Sequence, residues 1–188
     1  LVTMMVILCA GSVAADTAVV NSRDWVDVYS VLLSEAQDGN RAFFLNSDIT
    51  TSLTKIIGKN DVVQVYEPDD AFTNNLHRQL SSVGYDAREF STSDSLNLDL
   101  DPQLGRYYVI SRDNPRISIS LAPLAVKEQA WVLVVDEDNI DDVVDRLQTA
   151  NDVIAVGNFR RDLLQELEPV ITEEIRNNDV FADSQELA

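Results

Sequence analysis

Apolar runs and amphipathic stretches alternate along this chain, and the alternation runs through twice. Val19-Val20-Asn21-Ser22-Arg23-Asp24 leaves a β-branched strand for a polar turn, and it returns 89 residues later as Tyr108-Val109-Ile110-Ser111-Arg112-Asp113. Each copy leads into a stretch with apolar residues at helical spacing, Trp25 to Gln37 first and Arg116 to Val126 second. An apolar strand follows each helix, Ala42-Phe43-Phe44-Leu45 and then Trp131-Val132-Leu133-Val134-Val135. Next comes a short acidic amphipathic helix, with Ile49, Leu53 and Ile56 on one face, matched by Ile140, Val144 and Leu147. Asp61-Val62-Val63-Gln64-Val65 recurs as Asp152-Val153-Ile154-Ala155-Val156, 91 residues on. A last helix bearing Leu76 and Leu80 is matched by Leu163 and Leu167.

Six elements in one order predict two units that each read β-α-β-α-β-α, with a further strand over Tyr85 to Phe90 in the first. The strands are short, continuous and rich in β-branched residues, as parallel strands covered on both faces are. Helices in the crossovers make each unit a small three-layer α/β domain with a mostly parallel sheet. The predicted organisation is unit 1 over residues 16–100 and unit 2 over 101–176. They join through Ser91 to Gly105, where Pro102 and Gly105 act as breakers. Residues 1–15 are uncharged and end in Ser12-Val13-Ala14-Ala15, the pattern of an export signal peptide without its basic start, with a buried first strand as the alternative. Their apolar run is too short to cross a bilayer, which takes about 20 residues. Residues 177–188 read as the opening of a third unit, with Asp183 or Ser184 as a helix cap.

Several of these segments follow a known pattern. Asp27-Val28-Tyr29 stands at an Asp-Ala-Leu-like helix start, and Asp61-Val62-Val63-Gln64-Val65-Tyr66 and Asp152-Val153-Ile154-Ala155-Val156-Gly157 stand at a Val-Tyr-Val-Leu-Gly-Gly-like strand. Gly84-Tyr85 matches a Gly-Tyr pair before the last strand, and Asp179-Val180-Phe181-Ala182-Asp183-Ser184 is similar to the start of the next unit. On these segments the chain resembles the cell-wall-binding type 2 repeat family, found in tandem on bacterial surface proteins and in related archaeal secreted proteins. The departures are Tyr66-Glu67 and Gly157-Asn158 at the double glycine, and Arg116-Ile117-Ser118 at the second helix start. The resemblance implies this α/β fold, a cell-surface location and tandem repeats that hold anionic wall polymers.

Charge changes that picture. The chain has 32 acidic and 14 basic residues, a net −18, and 22 of the acids are Asp while only 3 of the bases are Lys. A nucleic acid needs a basic stripe, and the longest basic run here is Arg160-Arg161, so nucleic acid is excluded as a partner. An Asp-rich, Lys-poor surface suits a protein that works in high salt, where screening removes the cost of self-repulsion. An ordinary acidic surface is the plainer alternative. Like charges would also repel an anionic polymer at low salt. Cys9 is the one cysteine, so the chain after residue 15 has no thiol for disulfides or metal.

Candidate chemistry is sparse. His77, the one histidine, sits beside Leu76 and Leu80 and reads as structural; it excludes multi-histidine metal sites. The six glycines are isolated, so no phosphate-cradling loop is present. Asp136 and Asp138, in the densest acidic cluster, are candidate ligands for calcium, the one cofactor considered; the plainer reading is a solvated helix start. The best binding candidates lie after the first strand of each unit: Arg23, Asp24 and Trp25, with Arg112 and Asp113. There the arginines could hold a carboxylate or sugar hydroxyl and Trp25 could stack on a pyranose. Equally, Arg and Asp could pair internally, Asp24 could cap a helix and Trp25 could lie in the core. The expectation is a non-enzymatic, secreted, cell-surface module with no transmembrane segment in these residues. It would bind or pack on envelope polysaccharide, a surface-layer protein or neighbouring repeats. A self-assembling surface layer is the alternative, and for an enzyme the sequence offers no substrate.

Overall fold

The computed structural model describes residues 17–45, 53–68, 70–90 and 95–176. The expected leader, the third-unit segment 177–188 and Ile49 lie outside the described residues. The first unit runs β1 (Thr17–Val20), α1 (Trp25–Asp38), β2 (Arg41–Phe44), α2 (Leu53–Ile56), β3 (Val62–Tyr66), α3 (Leu76–Ser82) and β4 (Asp86–Phe90). A single helical turn, α4 (Leu96–Asp99), lies in the join. The second unit runs β5 (Arg106–Ser111), α5 (Pro115–Glu128), β6 (Trp131–Val135), α6 (Ile140–Leu147), β7 (Asp152–Val156), α7 (Arg161–Leu167) and β8 (Glu173–Ile175). Each unit has a four-stranded, all-parallel sheet, ordered β2-β1-β3-β4 in one and β6-β5-β7-β8 in the other. The two α/β units of the sequence reading are therefore present, with β8 as an added fourth strand in the second.

Local chemistry explains the long helices. Asp24 is the N-cap of α1, where its Oδ1 accepts from the Val26 N–H at 3.0 Å, and Gly39 ends the helix in the left-handed region at φ 74°. In the second unit Pro115 supplies the first residue of α5, and Gln129 takes the left-handed terminal position at φ 53°. The central strands are apolar on both faces. Val19, Val63, Val65, Val109, Ile110 and Val156 are all fully buried or nearly so.

The ladders set a repeat register that differs by one residue from the one read in the sequence. Thr17 faces Arg41 and Val63, and Tyr107 faces Trp131 and Val153, so three strands repeat at an offset of 90. The helix caps agree, since Asp24 matches Asn114 and Gly39 matches Gln129. The two Ser-Arg-Asp triplets are thus not equivalent. Arg23 corresponds to Asp113, and Arg112 corresponds to Ser22. A strand shifted by one turns every side chain to the other face, so identity of the triplet does not preserve its direction.

The described part of the join, from residue 95 onward, packs against both units. Leu96 and Asn97 of α4 are 2% and 1% exposed. Asn97 lies against the outer edge of β6: its Nδ2 donates to Val132 O at 3.0 Å and its Oδ1 accepts from Val134 N at 2.9 Å. One side-chain amide thereby stands in for the neighbouring strand that an edge lacks. Nδ2 also donates to Ser30 Oγ on α1, and the Trp131 indole N–H donates to the Asn97 carbonyl. Helix α1 is held between the units. Val31 belongs to the first unit's core, while Val26 and Leu33 belong to the second unit's core, with Trp25 and Tyr29 packed against it. Gln37 completes this contact by donating to Ala130 O at 2.7 Å. Among the described residues, no helix is long and apolar enough to cross a membrane.

Candidate functional site

In both sheets the chain changes direction beside the first strand, which opens a crevice beyond the carboxyl ends of the first and third strands. The polar turn after β5 delivers Arg112 and Asp113 there. In the second unit a hollow of about 500 Å³ is lined by Arg112, Asp113, Asp136, Glu137, Asp138 and Arg160, among others. In the first unit the corresponding crevice is crossed by side chains. Asn21 donates from Nδ2 to Glu67 Oε1 at 3.0 Å and to Thr73 O at 2.6 Å, and its Oδ1 accepts from Thr73 N.

Three of the five predicted binding residues meet, directly or through contact, at the junction of the two units. Arg112 bridges Asp24, across the unit boundary, and Asp136, at 3.2 Å within its own unit. Burial opposes the Arg112 charge, but Asp24 and Asp136 outweigh it and hold the guanidinium more firmly protonated than usual. Asp24 thus caps α1 with one oxygen and pairs Arg112 with the other. Trp25, next in the chain, packs against the second unit's core, with its ring 6.4 Å from that of Tyr29. Arg23 points elsewhere and lies over the Phe72 ring, 5.3 Å from its centroid. Asp113 is exposed at the rim of the second hollow.

The two predicted calcium ligands are placed differently. Asp136 Oδ1 accepts from the backbone N–H groups of Asp138 and Asn139, an arrangement that forms the turn into α6. Its Oδ2 faces Arg112, so a cation there would displace a guanidinium. Asp138 is exposed on the same turn.

Sequence reasoning missed two groups. The first is Asp27, which accepts from Ser22 Oγ at 2.7 Å while Asp70 approaches the same hydroxyl at 3.2 Å. Burial raises the Asp27 pKa, the Ser22 hydrogen bond lowers it, and Asp24 and Asp70 raise it further, for a net upward shift. The second is the set around His77. Its Nδ1 lies 2.6 Å from Glu67 Oε2 and its Nε2 lies 3.4 Å from Glu89 Oε2. Burial alone would raise the Glu67 pKa. Hydrogen bonds from the His77 ring, the Leu76 and His77 N–H groups and Asn21 overcome that and hold it below the usual carboxylate range. The His77 set has no local spacing signal, because β3, α3 and β4 bring its members together from separate turns.

This paired-sheet arrangement has a solved counterpart. The fold is shared with Cwp8 from Clostridium difficile. The two superpose with a TM-score of 0.65 over 92% of this chain, at 13% sequence identity. That coverage takes in both units, so Cwp8 shares their succession and not merely one sheet. The chain spans 33% of the length of Cwp8, and at this identity the likeness carries the fold alone. No family model matches the sequence, and no curated protein matches it.

Proposed function

We propose that this chain is a non-enzymatic module of a secreted, cell-surface protein that binds envelope polymer. The observation that carries the reading is the two-unit fold shared with Cwp8, a cell-wall protein, over nearly the whole chain. The sequence resemblance to cell-wall-binding type 2 repeats points the same way, without a family model that matches. The polymer-facing surface is the hollow beyond β5 and β6, with Arg112 and Arg160 as its cationic groups. Both arginines are already paired with carboxylates, Arg112 with Asp24 and Asp136, Arg160 with Glu137 and Asp162. The ligand that suits such a lining is polar and hydroxyl-rich, engaging paired charges by hydrogen bonds, as a polysaccharide does.

Co-sedimentation of the purified chain with envelope polysaccharide fractions, at low and at molar salt, tests this. The expected result is retention that strengthens with salt, as screening weakens the repulsion from a net −18 chain. Failure to sediment with every fraction at molar salt would overturn the reading.

A second reading, a module that builds a layer by packing on like units, is favoured by one observation. Equivalent helices α1 and α5 already pack on each other within the chain, and α1 lends Val26 and Leu33 to the second unit's core. Concentration-dependent oligomers in the absence of polysaccharide would favour this second reading over the first.

A further inference from the structure

The His77 cluster interrupts the repeat. In the ladder register, Glu67 follows β3 at the position where Gly157 follows β7. The second unit has a left-handed glycine there, at φ 88°, and the first has a carboxylate directed at the α3 helix. Glu67 is firmly placed, with a side chain only 7% exposed. Its Oε1 accepts from Leu76 N at 2.8 Å and from Asn21, and its Oε2 accepts from the backbone and ring of His77.

With its proton on Nδ1, the imidazole donates to Glu67 Oε2 at 2.6 Å and turns the lone pair of Nε2 away from Glu67. Nε2 faces Glu89 Oε2 at 3.4 Å, beyond the 2.7–3.2 Å range usual for an N–H···O bond. Two lone-pair bearers therefore face each other across a gap. Something positive belongs between them, and it is either a proton or a metal ion. The separation suits the metal, since two ligands at about 2.1 Å from a tetrahedral zinc lie about 3.4 Å apart. The outer carboxylate on Nδ1 is the usual second partner of a metal-bound histidine. A hollow of about 230 Å³, lined by Glu67, His77, Glu89, Asn74 and Asn75 among others, opens over the group and leaves room for water.

We propose that His77 Nε2 and Glu89 bind one divalent transition-metal ion of the zinc class, with Glu67 orienting the imidazole through Nδ1 and water completing the coordination. Hard ions such as calcium and magnesium prefer all-oxygen shells and would not compete through an imidazole. The site is independent of any polymer binding.

The test is calorimetric titration of the untagged full chain with zinc, calcium and magnesium at neutral pH, alongside the imidazole nitrogen NMR spectrum of the one histidine. The expected result is one zinc equivalent, a displaced Nε2 resonance, and no heat from calcium or magnesium. His77→Ala and Glu89→Gln should abolish that heat. Glu67→Gln should weaken zinc binding about tenfold to a hundredfold, the usual effect of removing such a partner. Glu89 is half-exposed, so Glu89→Gln reports on the ligand with the fold intact, as circular dichroism would verify. Zinc binding unchanged by Glu89→Gln would overturn the proposal. So would a His77 spectrum that responds to pH but not to zinc, which would mean that the gap holds only a proton.

Discussion

Single side chains in this protein carry electrostatic and packing costs that a variant can relieve. Asp27 is one. Its folded-state pKa is raised, so the folded chain holds that proton more tightly than the unfolded chain. Ionisation of Asp27 therefore weakens the fold, fully at neutral pH and progressively less as the pH falls through the raised value. Asp27→Asn keeps an oxygen for the Ser22 hydroxyl and should melt higher at neutral pH. Its advantage should shrink on acidification. A gap between the two melting curves that is independent of pH would assign the effect to something other than the charge. Tyr29 is the second. Its hydroxyl is buried without a hydrogen-bond partner, and burial pushes its pKa up. Tyr29→Phe removes the unpaired group and preserves the ring against Trp25, so chemical denaturation should show a gain of about 1 kcal/mol.

At the scale of elements, the strands were legible and the join was not. Apolar runs such as Trp131–Val135 have one stable fate in a chain of this composition, and the structure confirms it to the residue. Helix α4 is a single turn, and its role comes from tertiary contact, with Asn97 answering two backbone groups of β6 from 35 and 37 residues away. No local pattern encodes that. The site was partly legible for the same reason. The turns after β1 and β5 sit where an open α/β sheet puts ligands, so Arg112 and Asp24 could be singled out by position. Glu67, His77 and Glu89 are brought together only by the β3–β4 register and by the start of α3. The repeat itself misled by one residue, because the Ser-Arg-Asp match outweighed the strand alternation that the ladders obey. The role of α4 is open to test. Asn97→Asp keeps the shape, removes the donor to Val132 and buries a charge, and should cost about 3 kcal/mol in urea unfolding. A loss below about 1 kcal/mol would mean that the edge of β6 is held by packing instead.

The molecule as a whole is two sheets sharing one helix. The second unit's core includes Val26 and Leu33 from α1, so neither unit can lose structure without exposing the other. Calorimetry should therefore show one cooperative transition rather than two. Its midpoint should rise between about 0.1 M and 2 M NaCl, because screening relieves the repulsion of the acidic surface. A midpoint indifferent to salt would remove the case for salt adaptation. The Asn97 plug also bears on how the chain is made. Synthesis delivers α1 and α4 before β6 exists, so the cover for that edge is waiting when the strand emerges. The ribosome's direction of travel thus protects the nascent second sheet from pairing with strands of other chains. A circular permutation that placed residues 101–176 first would reverse that order, and its cost would appear as aggregation during expression rather than as lost stability.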